Sequence, residues 1–131
     1  MEFSEYQQQL KILEEERGWD RVLPSHTFMH MGEELGEIAR VLECLEGYRG
    51  SELDDEELHT ELSGELADLM NFIFKLANRY GIDIDRAMRA SMHKFLTRYG
   101  DIEQSREEMS RYISYQEKKL EQIRGKREET I

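Results

Sequence analysis

Apolar residues recur along the chain at three- and four-residue steps, the period that lines one side of an α-helix, and strands are hard to find. A first helix is predicted from about Ser4 to Arg17, with Leu10, Ile12 and Leu13 as apolar contacts and Gly18 as its stop. The segment GWDRVLPSH, residues 18–26, contains the only proline, Pro24, and is predicted as a connector. A second helix should start just after Pro24 and reach Glu46, carried by Phe28, Met31, Leu35, Ile38, Leu42 and Leu45, with Gly47 and Gly50 ending it.

A third helix is predicted from Asp54 or Asp55, an acidic N-cap before Glu57 and Leu58, as far as Tyr80 before Gly81. Its row is Leu58, Leu62, Leu66, Leu69, Ile73, Leu76 and Tyr80. A fourth helix runs from Asp83 through Tyr99, with Ile84, Ala87, Met88, Met92 and Phe95 on one side and Gly100 closing it. Beyond Gly100 the chain turns into a charged tail, where Ile102, Met109, Tyr112, Ile113, Leu120 and Ile123 make only a thin apolar row. Such a row cannot fold alone and needs the body or a second subunit, and the final GKREETI is expected to fray. The expected fold is all-α: a four-helix bundle at residues 1–100 with a charged helical C-terminal extension at 101–131.

Composition narrows the class of function. With 131 residues the chain suits one core, and 38% hydrophobic against 36% charged residues, with a mean hydropathy of -0.78, describes a well-solvated domain. No apolar run has the length of a membrane span, and the start MEFSEYQQQL lacks the basic and apolar regions of a signal peptide, so a cytoplasmic address is expected. The single cysteine, Cys44, cannot form an internal disulfide. A formal net charge of -11, from 29 acidic against 18 basic residues, disfavours nucleic-acid binding. An acidic protein that handles phosphates must recruit cations to do so.

On a helical wheel Glu34 and Glu37 lie side by side on the flank of the second helix's apolar stripe, with Glu33 farther round. Glu65 and Asp68 occupy the corresponding flank of the third helix, with Glu61 one turn earlier. If the two helices pack antiparallel, as their short connection favours, the four carboxylates face one another across a groove. Like charges at these spacings destabilise a helix by roughly 0.2–0.5 kcal/mol per pair. A hard divalent cation would offset that, since Mg²⁺ prefers carboxylate and water oxygens and leaves positions for substrate phosphates. The alternative is that an acidic chain places glutamates at these spacings by chance, as in the run Glu14, Glu15, Glu16, which reads as a solvated face.

The motifs E-E-L-G-E (Glu33 to Glu37) and E-L-A-D (Glu65 to Asp68), followed by L-A-N-R-Y-G-I-D-I-D (Leu76 to Asp85) and K-F-L-T-R-Y (Lys94 to Tyr99), resemble the MazG-type nucleotide pyrophosphohydrolases of the all-α NTP pyrophosphatase superfamily. The resemblance runs from about His30 to Tyr99. It implies a MazG-like bundle in which Glu34, Glu37, Glu65 and Asp68 hold Mg²⁺, with Mn²⁺ as a substitute, and in which Glu34 or Glu37 helps take a proton from water. Glu33 is either a helper behind the ligands or a surface glutamate.

Lys94 and Arg98 fall where such relatives carry basic residues near the phosphates, and one helical turn separates them. Arg89 is a lesser candidate, and Ser91 stands where many relatives have a further lysine. Asn71 and Lys75 continue the acidic stripe toward the nucleotide, although Lys75 could instead pair with acids of its own helix. His30 stands one turn before Glu34, placed for a base or sugar contact rather than for Mg²⁺, which prefers oxygen. Trp19 and Phe28 could stack on a base, or belong to the packing. His26, His59 and His93 have no partner pattern, and Glu61 reads as an extension of the stripe.

The resemblance thus implies hydrolysis of a nucleoside triphosphate between the α and β phosphates, a role in cleaning the nucleotide pool, and a homodimer or homotetramer without nucleic-acid or membrane partners. A non-catalytic helical scaffold is the competing expectation and predicts no specific Mg²⁺ binding. A di-iron carboxylate bundle fits less well, because neither acidic motif has a histidine three residues after a glutamate.

Overall fold

The computed structural model describes residues 1–130, which are mostly helical with no strand among them. Helix α1 spans Phe3–Arg17, a 3-10 turn covers Trp19–Arg21, and α2 (Pro24–Leu45), α3 (Asp55–Arg79), α4 (Ile84–Arg98) and α5 (Ile102–Thr130) follow. The all-α expectation therefore holds, and the predicted boundaries fall within a residue or two of those observed.

Local chemistry explains where the helices begin and end. Gly18 adopts φ 71°, a left-handed conformation that costs glycine nothing, and its N–H donates to the last carbonyls of α1. Pro24 opens α2 in the first turn, where a missing N–H is harmless. Asp54 caps α3 reciprocally: its side chain accepts from the Glu57 N–H at 2.8 Å, while Glu57 accepts from the Asp54 N–H at 3.0 Å.

Packing divides the chain into a unit Met1–Met88 and a second unit that starts at Arg89. In the first, α2 and α3 pair antiparallel: His30 meets Phe72, Glu34 meets Asp68, and Val41 and Leu58 line one cleft, so numbers rise on one helix as they fall on the other. The apolar core there is Val41, Leu58, Phe74 and Ala77. Helix α1 lies on α3, with Phe3 and Tyr6 packing on the Phe74 ring at 6.0 and 5.3 Å between centroids. Gln7 ties α1 to the turn after α3. Its amide donates to Asn78 Oδ1 (2.9 Å) and to the Ile82 carbonyl (2.7 Å), and its Oε1 accepts from the Ile84 N–H (3.1 Å).

Two expectations change here. Of the predicted α2 row, Met31, Ile38 and Leu45 are half-buried, but Phe28, Leu35 and Leu42 are exposed, and the covered stripe takes in Thr27, Glu34 and Val41 in their place. Periodicity marks an apolar row without saying which of two neighbouring rows meets its partner. Glu14, assigned to a solvated face, is buried at 6% exposure because α1 turns that side inward.

The second unit holds the rest of α4 and the 29-residue α5. Asp101 caps α5, its carboxylate accepting from the Gln104 N–H at 3.0 Å. The helix continues through Gly125 to Thr130, where fraying was expected; Ile131 lies outside the described residues.

A candidate metal centre between α2 and α3

The antiparallel pairing brings Glu34 of α2 against Glu65 and Asp68 of α3. One carboxylate oxygen from each lies within 4.8 Å of the others, close enough for a single cation to touch all three. Glu65 and Asp68 share a face because three residues make nearly one turn, and Glu34 meets them from across the interface.

The electrostatics are those of crowded acids. Glu34 is pushed up to about 7 by a hydrogen bond shared with Glu65, then by burial, then by the negative charges of Glu65, Asp68 and Glu37. Its Oε2 is sealed from solvent and has no hydrogen-bond partner. A buried carboxylate oxygen without a partner costs stability unless a proton or a cation satisfies it. Three hard oxygen donors, with no nitrogen or sulfur among them, suit Mg²⁺ or Mn²⁺ rather than a softer ion.

The other sequence candidates fall around this trio in different ways. Glu37 stands outside it, its carboxylate 3.5 Å from the Arg40 guanidinium on the exposed side of α2. Glu33 also turns aside and lies 3.1 Å from His30 Nδ1. The His30 ring stacks on Phe72 at 5.5 Å with 13° between planes, so an aromatic pair borders the carboxylates one turn away on both helices. Asn71 accepts a hydrogen bond from the Tyr6 hydroxyl of α1.

Burial pushes the Glu14 carboxyl above its ordinary value, a rise that the nearby Lys75 opposes and Asp20 adds to. Trp19 sits on the 3-10 turn, half its surface exposed, with the Arg17 guanidinium 5.7 Å from its ring centre. Phe28 is exposed. Lys94 and Arg98 are exposed on α4 in the second unit, and Arg98 lies 5.4 Å from the Tyr99 ring centre.

Three residues escaped the sequence, Phe72 and Tyr6 beside candidate site residues and Thr27 in the packing of α2. Phe72 lies four residues beyond Asp68, so extending the acidic stripe by one turn would have found it. Tyr6 had no local signal, because its partner is 65 residues away. Thr27, 1% exposed and with its Oγ1 unpartnered, is a polar residue in a packing position that periodicity passes over.

Comparison with known proteins agrees with the motif. The family model described as the MazG nucleotide pyrophosphohydrolase domain matches residues 24–102, which include the whole of α2, α3 and α4. The chain is 29% identical over 103 residues to the uncharacterized protein YvdC of Bacillus subtilis (strain 168), covering 76% of this chain and 97% of that protein. No solved structure matches. With more than half of its length matched and the carboxylates of both acidic motifs gathered between two antiparallel helices, the chain belongs to the MazG nucleotide pyrophosphohydrolase family.

Proposed function

We propose that this protein is a Mg²⁺-dependent pyrophosphohydrolase that cleaves a nucleoside or deoxynucleoside triphosphate between the α and β phosphates, yielding the monophosphate and pyrophosphate. The observation that carries the proposal is the convergence of Glu34, Glu65 and Asp68 around a buried, partnerless carboxylate oxygen. These three residues would hold the ion, Mg²⁺ or Mn²⁺ in its place, with Glu37, now beside Arg40, as the fourth carboxylate of the set. The ion, when bound, neutralises phosphate charge and lowers the pKa of water.

The chain's own groups do the rest. Glu37, at the open edge of the cluster, takes the proton of the attacking water, with Glu34 as the other carboxylate in reach of that role. Lys94 and Arg98 bind the phosphates and stabilise the charge that builds on them. His30, Asn71, Lys75 and Trp19 contact the nucleotide, with Phe72 stacked on the His30 ring. Glu33 fixes the His30 ring through its Nδ1.

The catalytic domain takes residues 1–100 and the extension 101–131, the working form is a homodimer or homotetramer, and the protein acts in the cytoplasm on damaged nucleotides of the pool. The exposed apolar rows Phe28, Leu35, Leu42 and Met88, Met92, Phe95 support assembly, because apolar surface of that extent usually marks a contact. No helix among the described residues is long and apolar enough to cross a membrane. Incubation with canonical and modified nucleoside triphosphates plus Mg²⁺ tests the proposal. Pyrophosphate and the monophosphate should appear from at least one, and no pyrophosphate from any would leave the scaffold alternative.

A further inference from the structure

Within the second unit, helix α5 carries a long apolar seam that stays exposed among the described residues. From Ile102 to Glu129 every residue is exposed except Ser105 and Gly125, which are half-buried. Ile102, Met109, Ile113, Leu120 and Ile123 are each between 47% and 65% exposed. With Arg106, Gln116 and Arg127 they fall at alternating four- and three-residue steps, the spacing of the contact line in a two-helix coiled coil. An isolated helix gains too little from its own backbone to be firmly ordered in water, so this seam calls for a second helix.

The charges along α5 decide which helix and in which direction. A parallel pairing of two α5 helices would stack Arg106 on Arg106 and Arg127 on Arg127 along the seam, and would set Lys119 beside Arg124 of the second copy. Like charges in such positions oppose association. Antiparallel pairing removes every one of these clashes. With Ile113 opposite the second copy's Gln116, Leu120 falls opposite its Met109 and Ile123 opposite the stem of its Arg106. In the same register Glu103 meets Arg124, and Tyr112 meets Lys119, an aromatic face against a cation. The lone polar Gln116 favours one register over slipped ones.

We propose that α5 is a self-association element that pairs antiparallel with α5 of a second copy of this chain, held by Met109, Ile113, Leu120 and Ile123 and oriented by Glu103 and Arg124. The inference is independent of the catalytic proposal. It is tested by sedimentation of the full-length protein and of two variants, Arg124→Glu and Glu103→Arg/Arg124→Glu.

Symmetry places the Glu103–Arg124 pair twice in each interface, so Arg124→Glu should weaken the association roughly tenfold and the double charge exchange should restore it. Disulfide trapping in a Cys44→Ser background reads the direction: Met109→Cys/Leu120→Cys should form a covalent dimer, whereas neither single cysteine should. The two cysteines cannot bridge within one helix, since 11 residues separate them by about 16 Å. A monomeric full-length protein, an association unchanged by Arg124→Glu, a failure of the double exchange to restore it, or dimers trapped by the single cysteines would each overturn the proposal.

Discussion

At the scale of single residues the account turns on Glu34. Its folded-state pKa, about 7, lies above the ordinary carboxylate value of 4.5, so the metal-free native state binds a proton that the unfolded chain has released. This group's contribution to stability is therefore full below pH 4.5, falls as pH rises toward 7, and stays lost above that. The melting temperature of metal-free protein should decline across that window, and Glu34→Gln should flatten the decline. A decline of equal size in Glu34→Gln would place the titration elsewhere. Asp68→Ala and Glu37→Ala should lower Mg²⁺-dependent turnover by more than the roughly 100-fold that loss of an outer supporting group can cost, with helix content by circular dichroism intact. Asp68→Ala should also raise the metal-free stability by a few tenths of a kcal/mol as repulsion within the trio is relieved. Undiminished turnover in both variants would remove these residues from the site.

At the scale of helices, most boundaries were legible because they depend on neighbours in sequence: a glycine in the left-handed region after α1, a proline opening α2, an aspartate three residues before its capping partner. The Asp54 cap gives a direct test. Asp54→Ala should cost about 1 kcal/mol, read as a lower melting temperature, because it leaves the Glu57 N–H at the start of α3 without its acceptor. What the sequence hid depends on residues far apart in the chain. Thr27 is buried while Phe28 beside it is not, since the side of α2 that is covered is set by α3 and not by hydrophobicity along α2. Glu14 looked like one of three solvated acids and is buried near Lys75. In the candidate site, Glu34, Glu65 and Asp68 were legible because each stands on a regular helical flank. The side-chain pairings Glu37 with Arg40 and Glu33 with His30 were within one turn and still unforeseen, because an exposed acid has several such neighbours to choose from.

At the scale of the whole molecule, a chain carrying -11 net charge has gathered three acids at one place, an arrangement that is costly alone and useful with a cation. Metal and fold are then thermodynamically linked: an ion that binds only the native state stabilises it by about 2.7 kcal/mol at one hundred times its dissociation constant. Mg²⁺ should raise the melting temperature of the wild-type protein and leave Asp68→Ala almost unmoved, whereas an equal rise in both would point to diffuse surface binding. The most direct test of the central claim is a titration of the full-length protein with Mn²⁺, read by the paramagnetic resonance of the free ion. The account predicts saturable uptake that Mg²⁺ displaces and that Glu65→Gln and Asp68→Asn abolish. Uptake that never saturates, or saturable uptake unchanged in both variants, would contradict it.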